Sequence, residues 1–361
     1  MARIDMQGIA HSYMADPVSD EDFALRELDV RWVDGGAYSL LGPSGCGKTT
    51  LLNIISGLIQ PSKGKVLFDG KDVTQHAPRD RNIAQIFQFP VIYDTMTVFD
   101  NLAFPLRNRK MPEKQVRKRV EETAELLDLM SDLKRRASGL TADIKQIISL
   151  GRGLVRSDVS AILLDEPLTV IDPHVKWILR RRLKQIHEQF RLTMIFVTHD
   201  QTEALTFADQ VVLLHDGQVL QQGTPEELFE KPLHTFVGYF IGNPGMHLMP
   251  CKIEGSKAVV EGESIPLPET LARKASQASG KLQFGIRPEF CEPVSKDTEG
   301  SFRINVGKVE NLGDFQLVTG RVGENKFRAK VSIGKRIFKG TEIGFLFPEK
   351  YVQIFENERS L

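Results

Sequence analysis

From the start of the chain to about residue 240, short apolar runs alternate with longer segments of helical period. Tyr38-Ser39-Leu40-Leu41 reads as a buried strand running into a glycine-rich turn. Lys48 to Leu58 reads as a helix with Leu51, Leu52, Ile55 and Leu58 on one side. Ile83 to Phe87 is a further strand candidate. Glu113 to Met130 has helical spacing, with Val116, Val120, Ala124 and Leu127 on one face and charges elsewhere. Ala161-Ile162-Leu163-Leu164 and Met194-Ile195-Phe196-Val197 are short apolar runs bounded by polar residues, as central strands are. The alternation predicts an α/β domain, a parallel sheet covered by helices, over residues 1–242.

The texture changes at Asn243-Pro244-Gly245, which reads as a turn or linker. Beyond it the period falls to two: Leu282, Phe284, Ile286; Phe302, Ile304, Val306; Phe327, Ala329, Val331. Glycines punctuate these runs, so residues 243–361 are expected to form a small all-β barrel or sandwich.

At 361 residues the chain suits two domains, each long enough to bury a core. Lys plus Arg and Asp plus Glu both number 47, so the formal net charge is zero. A protein held to nucleic acid by phosphate contacts is usually basic overall, and no nucleic-acid partner is expected. Arg180-Arg181-Arg182 reads as a solvated face of a charged helix. No run reaches the roughly 18 apolar residues of a membrane-spanning helix. The start, MARIDMQGIA, lacks the basic and apolar regions of a secretory signal. The chain is therefore expected in the cytoplasm, with any membrane role exercised through partners. Cys46, Cys251 and Cys291 are too scattered for a disulfide framework or a zinc site.

Gly42-Pro43-Ser44-Gly45-Cys46-Gly47-Lys48-Thr49 fits the phosphate-loop pattern GxxxxGK(S/T) at every fixed position. Glycines let main-chain N–H groups turn toward phosphate oxygens where a β-carbon would block the approach. Lys48 is expected to reach the β- and γ-phosphates and Thr49 to ligate Mg²⁺, with Thr50 completing the nucleotide contacts. Cys46 reads as a small neutral filler. The following helix points its positive end at the same anion. Ala161 to Glu166 supplies the second half: an apolar strand ending in Asp165, which would ligate the metal, followed by Glu166, placed to polarise an attacking water. Kinases and switch GTPases also use a phosphate loop, so these two motifs leave the reaction class open.

More segments follow in order: Tyr13 ahead of the loop, Gln85-Ile86-Phe87-Gln88, Met96 to Leu106, Asp172, Thr198-His199-Asp200 after a strand, and Gly285-Ile286-Arg287-Pro288-Glu289. Together they resemble the ABC ATPase family, a branch of the P-loop NTPases. The likeness is specifically to ATP-binding subunits of carbohydrate importers such as the maltose and glycerol-3-phosphate systems, and it covers nearly the whole chain. The resemblance implies an ATPase coupled to transmembrane solute transport, with ATP and Mg²⁺ as cofactors. It gives Gln88 the role of sensing γ-phosphate and metal, His199 a γ-phosphate contact, Asp172 the D-loop position and Tyr13 the stacking on adenine. For Tyr13 a plain surface tyrosine is the alternative, because the acidic stretch Asp16 to Asp22 lengthens that loop. Some of Phe87, Phe89, Val91, Ile92 and Tyr93 are expected in the core and others in a groove for a helix of a membrane partner. The C-terminal barrel, OB/TOBE-like, is implied to be regulatory. Implied partners are two transmembrane permease subunits and, indirectly, an extracytoplasmic solute-binding protein, with the chain peripheral at the cytoplasmic face of the inner membrane.

One departure matters. The family signature LSGGQ aligns with Leu140-Thr141-Ala142-Asp143-Ile144, anchored on Gln146. Ala142 and Asp143 lack the backbone freedom of glycine. Asp143 would also bring a carboxylate near the phosphates of ATP held by an opposing subunit. Two like charges about 4 Å apart cost on the order of 4 kcal/mol at an effective dielectric near 20. The expected partner is therefore a second, non-identical ATPase with an intact signature. The transported solute is expected to be a sugar, polyol or glycerol-like compound. The alternatives are a metal or oxyanion importer, a regulatory subunit with little turnover, and an ABC ATPase of nucleic-acid repair or translation. The importer-like Gln88 to Leu106 segment counts against the last.

Overall fold

The structure, a computed structural model, describes residues 2–156, 158–323 and 325–361. Two compact units divide the chain, Met1–Pro225 and Glu226–Leu361.

The first unit is built on a six-stranded sheet in the order Gln218–Gly223, Gln210–His215, Ala37–Leu41, Met194–Thr198, Ala161–Asp165, Ile83–Ile86. All neighbours are parallel except the first pair. Every residue of Ala37–Leu41, Ala161–Asp165 and Met194–Thr198 is buried, which is why these strands read as continuous apolar runs. A second sheet, antiparallel, pairs Leu25–Trp32, Ile4–His11, Lys63–Phe68 and Lys71–Asp72. Its inward residues Ile4, Val30, Trp32 and Val66 share one core with Leu51, Leu52 and Ile55 of the helix Lys48–Ser56 and with Leu163 and Val197 of the parallel sheet. The sequence reading did not separate this second sheet from the first.

Helix ends differ from the expected ones for local reasons. Lys48–Ser56 stops at Gly57, whose φ of 82° lets its N–H turn back to the Ile54 carbonyl. Glu113–Leu126 stops before Asp128, itself left-handed at φ 60°. Among the described residues no helix is long and apolar enough to cross a membrane.

The second unit holds three antiparallel sheets around one core. Phe284, Phe302, Phe327 and Phe345 are fully buried there, with the Phe302 and Phe327 rings 5.4 Å apart. The expected period-two runs lie in Leu282–Ile286, Phe302–Asn311 and Asn325–Ser332. One helix, Glu269–Gln277, packs Ala272 and Ala275 on the same core. The unit begins at Glu226, ahead of Asn243, and Arg287 is one of the residues that tie this stretch to the strands, beside the Gln353 side chain on the Glu230 carbonyl and the Thr235 N–H on the Glu358 carbonyl. This arginine has no exposed surface, and burial lowers it to about 10. Its guanidinium donates to the carbonyls of Leu228, Phe229, Gly238 and Ile241 and lies 4.2 Å from the Phe229 ring. The short helices Pro225–Glu230 and Thr235–Phe240 supply those carbonyls, so they fold with the strands.

A fragment of residues 226–361 should therefore fold cooperatively, and one of residues 243–361 should be less stable, because it loses the carbonyls and the Phe229 ring that pack on Arg287. Denaturant midpoints of the two fragments decide it, and equal midpoints would overturn the assignment.

Candidate active site

Four loops leave the carboxyl ends of adjacent parallel strands, the edge where open α/β sheets hold ligands. Gly42 to Gly47 follows Ala37–Leu41, Asp165-Glu166 ends its strand, His199 follows Met194–Thr198, and Gln88 follows Ile83–Ile86. Strand register aligns them, with Leu41 opposite Thr198, Asp165 opposite Val197 and Ile86 opposite Leu164.

Within the phosphate loop, Gly47 caps the helix at φ 102°, and a Cβ there would lie 2.5 Å from the Ala24 carbonyl oxygen. A Cβ on Gly42 would lie 2.2 Å from the Leu214 carbonyl oxygen. Both positions therefore require glycine. Ser44 and Gly45 are exposed at the loop tip and Pro43 is half-buried. Cys46 is buried, which pushes its thiol up against the opposing pull of Lys48 and keeps it neutral. Lys48 is 5% exposed, and its Nζ donates to the Gly42 and Pro43 carbonyls at 2.8 Å each. The ammonium is thus held across the loop mouth.

The other end of this helix is fixed by a residue that sequence reading passed over. Arg81, 2% exposed, donates to the Ile54 and Ile55 carbonyls at 2.6 and 2.9 Å, and to Thr74 and His76. It adds donors to carbonyls of the last helical turn, which lie beyond the helix's own i to i−4 ladder. Nothing near Arg81 in the sequence signals its hold on the helix, because Ile54 and Ile55 lie 27 and 26 residues away.

Thr49 Oγ1 lies 3.4 Å from Asp165 Oδ1. Burial, and then the charge of Glu166, push the Asp165 carboxyl above its ordinary value; the Thr49 hydrogen bond and Lys48 oppose the rise. Glu166 sits in left-handed backbone at φ 44°, a strained conformation held by its N–H donating to the Val197 carbonyl at 3.0 Å. Its Oε2 lies 3.2 Å from His199 Nδ1. Thr50 is buried, and its hydroxyl lies 3.0 Å from that of Tyr13. The Tyr13 ring is 65% exposed and edge-on to His11, an open face beside the loop. Gln88 is half-buried, and among the described residues no hydrogen bond joins its side chain to this group. Asp172 caps the helix Pro173–Phe190 by accepting from the His174 N–H at 2.9 Å.

The donor set suits Mg²⁺. Among the described residues no three His, Cys, Asp or Glu side chains could hold a metal together. Mg²⁺ needs no such group, since it is bound through one or two protein oxygens with water and phosphate oxygens completing an octahedron.

At the departed signature, Thr141 is the extended N-cap of the helix Ala142–Leu154, and Ala142 and Asp143 take ordinary helical backbone. Neither has a positive φ. The expected backbone obstacle is therefore corrected: the first turn needs no glycine conformation, and its free N–H groups persist. What the substitution adds is the Asp143 carboxylate in the first helical turn.

Known proteins bear on this geometry. The family described as ABC transporter matches residues 25–169, which include the phosphate loop and Asp165-Glu166. The oligosaccharides import ATP-binding protein MsmX of Bacillus subtilis is 34% identical over 99% of this chain and 98% of its own length. The trehalose/maltose import ATP-binding protein MalK of Thermococcus litoralis is 37% identical over 94% of this chain and 95% of its own. The sn-glycerol-3-phosphate import ATP-binding protein UgpC of Escherichia coli is 35% identical over 99% of each. A solved structure, cbiO1 from Clostridium perfringens, described as part of the ABC transporter complex cbiONQ, has a TM-score of 0.57 at 26% identity. It covers 63% of this chain and 90% of that one. With identity of this order along nearly its whole length, and with a phosphate loop facing a carboxylate-ended strand, the chain belongs to the ABC transporter family as an ATP-hydrolysing subunit of an importer.

Proposed function

We propose that this chain binds MgATP through residues 42–50 and Asp165, hydrolyses it with Glu166, and drives an importer of a sugar, polyol or glycerol-like solute. The observation that carries the reading is the pairing of Thr49 with Asp165 and of Glu166 with His199 at one sheet edge. The solute class is supported by the relatives, whose names specify oligosaccharides, trehalose or maltose, and glycerol 3-phosphate. A metal or oxyanion importer has no such support.

Lys48 would exchange the two loop carbonyls for β- and γ-phosphate oxygens, an anion being the better partner for an ammonium. Thr49 and Asp165, with Gln88, would hold Mg²⁺, which supplies charge neutralisation on the phosphate oxygens. Glu166 Oε2 would take a proton from water as the water oxygen bonds to the γ-phosphorus and ADP departs. His199 would orient Glu166 and contact the γ-phosphate. The open face of Tyr13 would take adenine. Retention of the Glu166–His199 pair favours turnover over a purely regulatory role.

The chain would sit peripherally at the cytoplasmic face of the inner membrane, bound to two transmembrane permeases, with a solute-binding protein outside. Phe89 and Val91, 67% and 54% exposed, support a docking face in the loop after Gln88. The second ATPase is proposed to be a different chain with an intact LSGGQ. That point rests on Asp143 alone, and the comparisons lend it no support.

In the assembled transporter, Glu166→Gln should keep ATP affinity within about threefold and lose at least about 100-fold in turnover, the scale of general-base catalysis. Near-normal turnover would move the base elsewhere.

Asp165→Asn should stabilise the nucleotide-free chain at neutral pH. With its value raised by folding, ionised Asp165 costs stability that is absent below the ordinary carboxylate range and grows as pH rises through the raised value. The variant should melt higher at pH 7 than the wild-type chain. The gain should shrink as pH falls through the carboxylate range, and Mg²⁺-dependent stabilisation by ATP should be lost. A lower melting point at pH 7 contradicts the burial argument.

Mass analysis of the purified transporter should find this chain beside a second, different ATPase. Two copies of this chain with full transport-coupled ATPase activity exclude the asymmetric assembly.

A further inference from the structure

One buried polar side chain beside the site has no part in the chemistry above. Gln146, on the helix Ala142–Leu154, has no exposed surface. Its Nε2 donates to the Phe87 and Pro167 carbonyls, each at 3.0 Å. Phe87 immediately precedes Gln88, and Pro167 immediately follows Glu166. Both acceptors are carbonyl oxygens, so only one orientation of the amide satisfies them. Its Oε1 is left buried without a partner among the described residues. A leucine or methionine would fill this volume but leave the Phe87 and Pro167 carbonyls without these donors, so the glutamine is explained by the two bonds and not by packing alone.

The same helix holds the Gln88 loop at further points spaced by three residues, the spacing of one helical stripe. Ser149 Oγ accepts from the Val91 N–H at 3.3 Å. Arg152 donates to the Val91 carbonyl and lies 4.9 Å from the centre of the Tyr93 ring. Phe87 to Tyr93 is thus splinted along the helix while Phe87, Phe89, Val91 and Tyr93 keep exposed surface. Gln146 also reaches onward, to the turn that holds Glu166 in left-handed backbone.

We propose that Gln146 is a positioning residue. It ties the exposed loop of Gln88 to the turn of Glu166 through one shared amide, so that displacement of the loop by a membrane partner changes where the Glu166 carboxylate lies. The proposal rests on the reading of Glu166 as the base.

The test uses the assembled transporter in proteoliposomes, with Gln146→Met, which keeps length and removes both donors. The expected result is a kcat lower by about tenfold in the solute-stimulated state, a KM for ATP within about twofold of wild type, and a ratio of stimulated to basal ATPase that collapses toward one. A loss of ATP affinity with an unchanged stimulation ratio shows a merely structural residue and overturns the proposal. If Gln146→Met does not assemble, Gln146→Glu decides. Its protonated form donates one hydrogen bond, whereas its carboxylate faces two carbonyls and donates none. Burial raises such a carboxyl, so activity relative to wild type should climb between pH 8 and pH 6. A ratio independent of pH overturns the proposal. Glu166→Gln is measured alongside: if it still turns over, the reading of the site fails. If it is inactive while both Gln146 variants match wild type, only the role of Gln146 fails.

Discussion

Parallel pairing places Leu41 opposite Thr198 and Asp165 opposite Val197, and the rest of the site follows from that register. In parallel strands the carboxyl ends share one edge, so each following loop opens on the same side. Lys48, Asp165, Glu166 and His199 come from three strands far apart in the chain, yet Thr49 and Asp165 approach to 3.4 Å and Glu166 and His199 to 3.2 Å. A slip of one residue in any of these strands would turn its side chains to the other face and disperse the group.

Two buried arginines serve the architecture in the same way. Arg81 and Arg287 each direct their donors to main-chain carbonyls at the ends of short elements. Neither has a buried carboxylate as its main partner, and burial lowers both. The fan of guanidinium donors can satisfy several carbonyls at once, which a lysine cannot match geometrically. Arg81 thereby steadies the far end of the phosphate-loop helix, and Arg287 helps tie the helices that hold Leu228 and Gly238 to the strands of the second unit.

Stability and activity pull against each other at the sheet edge. Asp165 is buried beside Glu166, and Glu166 occupies a strained backbone region. Carboxylates so placed are costly unless a cation is to be held there, which is the logic of a stored cost at a functional site. The signature helix shows the reverse case. Its backbone is ordinary at Ala142 and Asp143, so what distinguishes it is the charge that Asp143 places in its first turn.

The sequence by itself determined the parts whose chemistry is local. The glycines of residues 42–47, the lysine and hydroxyl behind them, the carboxylate ending an apolar strand, and the two periodicities are each written within about ten consecutive residues. Phe284, Phe302 and Phe327 could be assigned to a β core because their period is two. Tertiary structure alone decided that Tyr13 meets Thr50, that Arg81 caps a distant helix, and that the second unit starts at Glu226, with Arg287 bonded to the carbonyls of that stretch. It also decided that Ala142 and Asp143 need no glycine backbone and that Gln146 reaches two loops. The reason is physical: main-chain carbonyls carry no side-chain identity, so a buried donor that pairs with them leaves no mark at its partners' positions in the sequence.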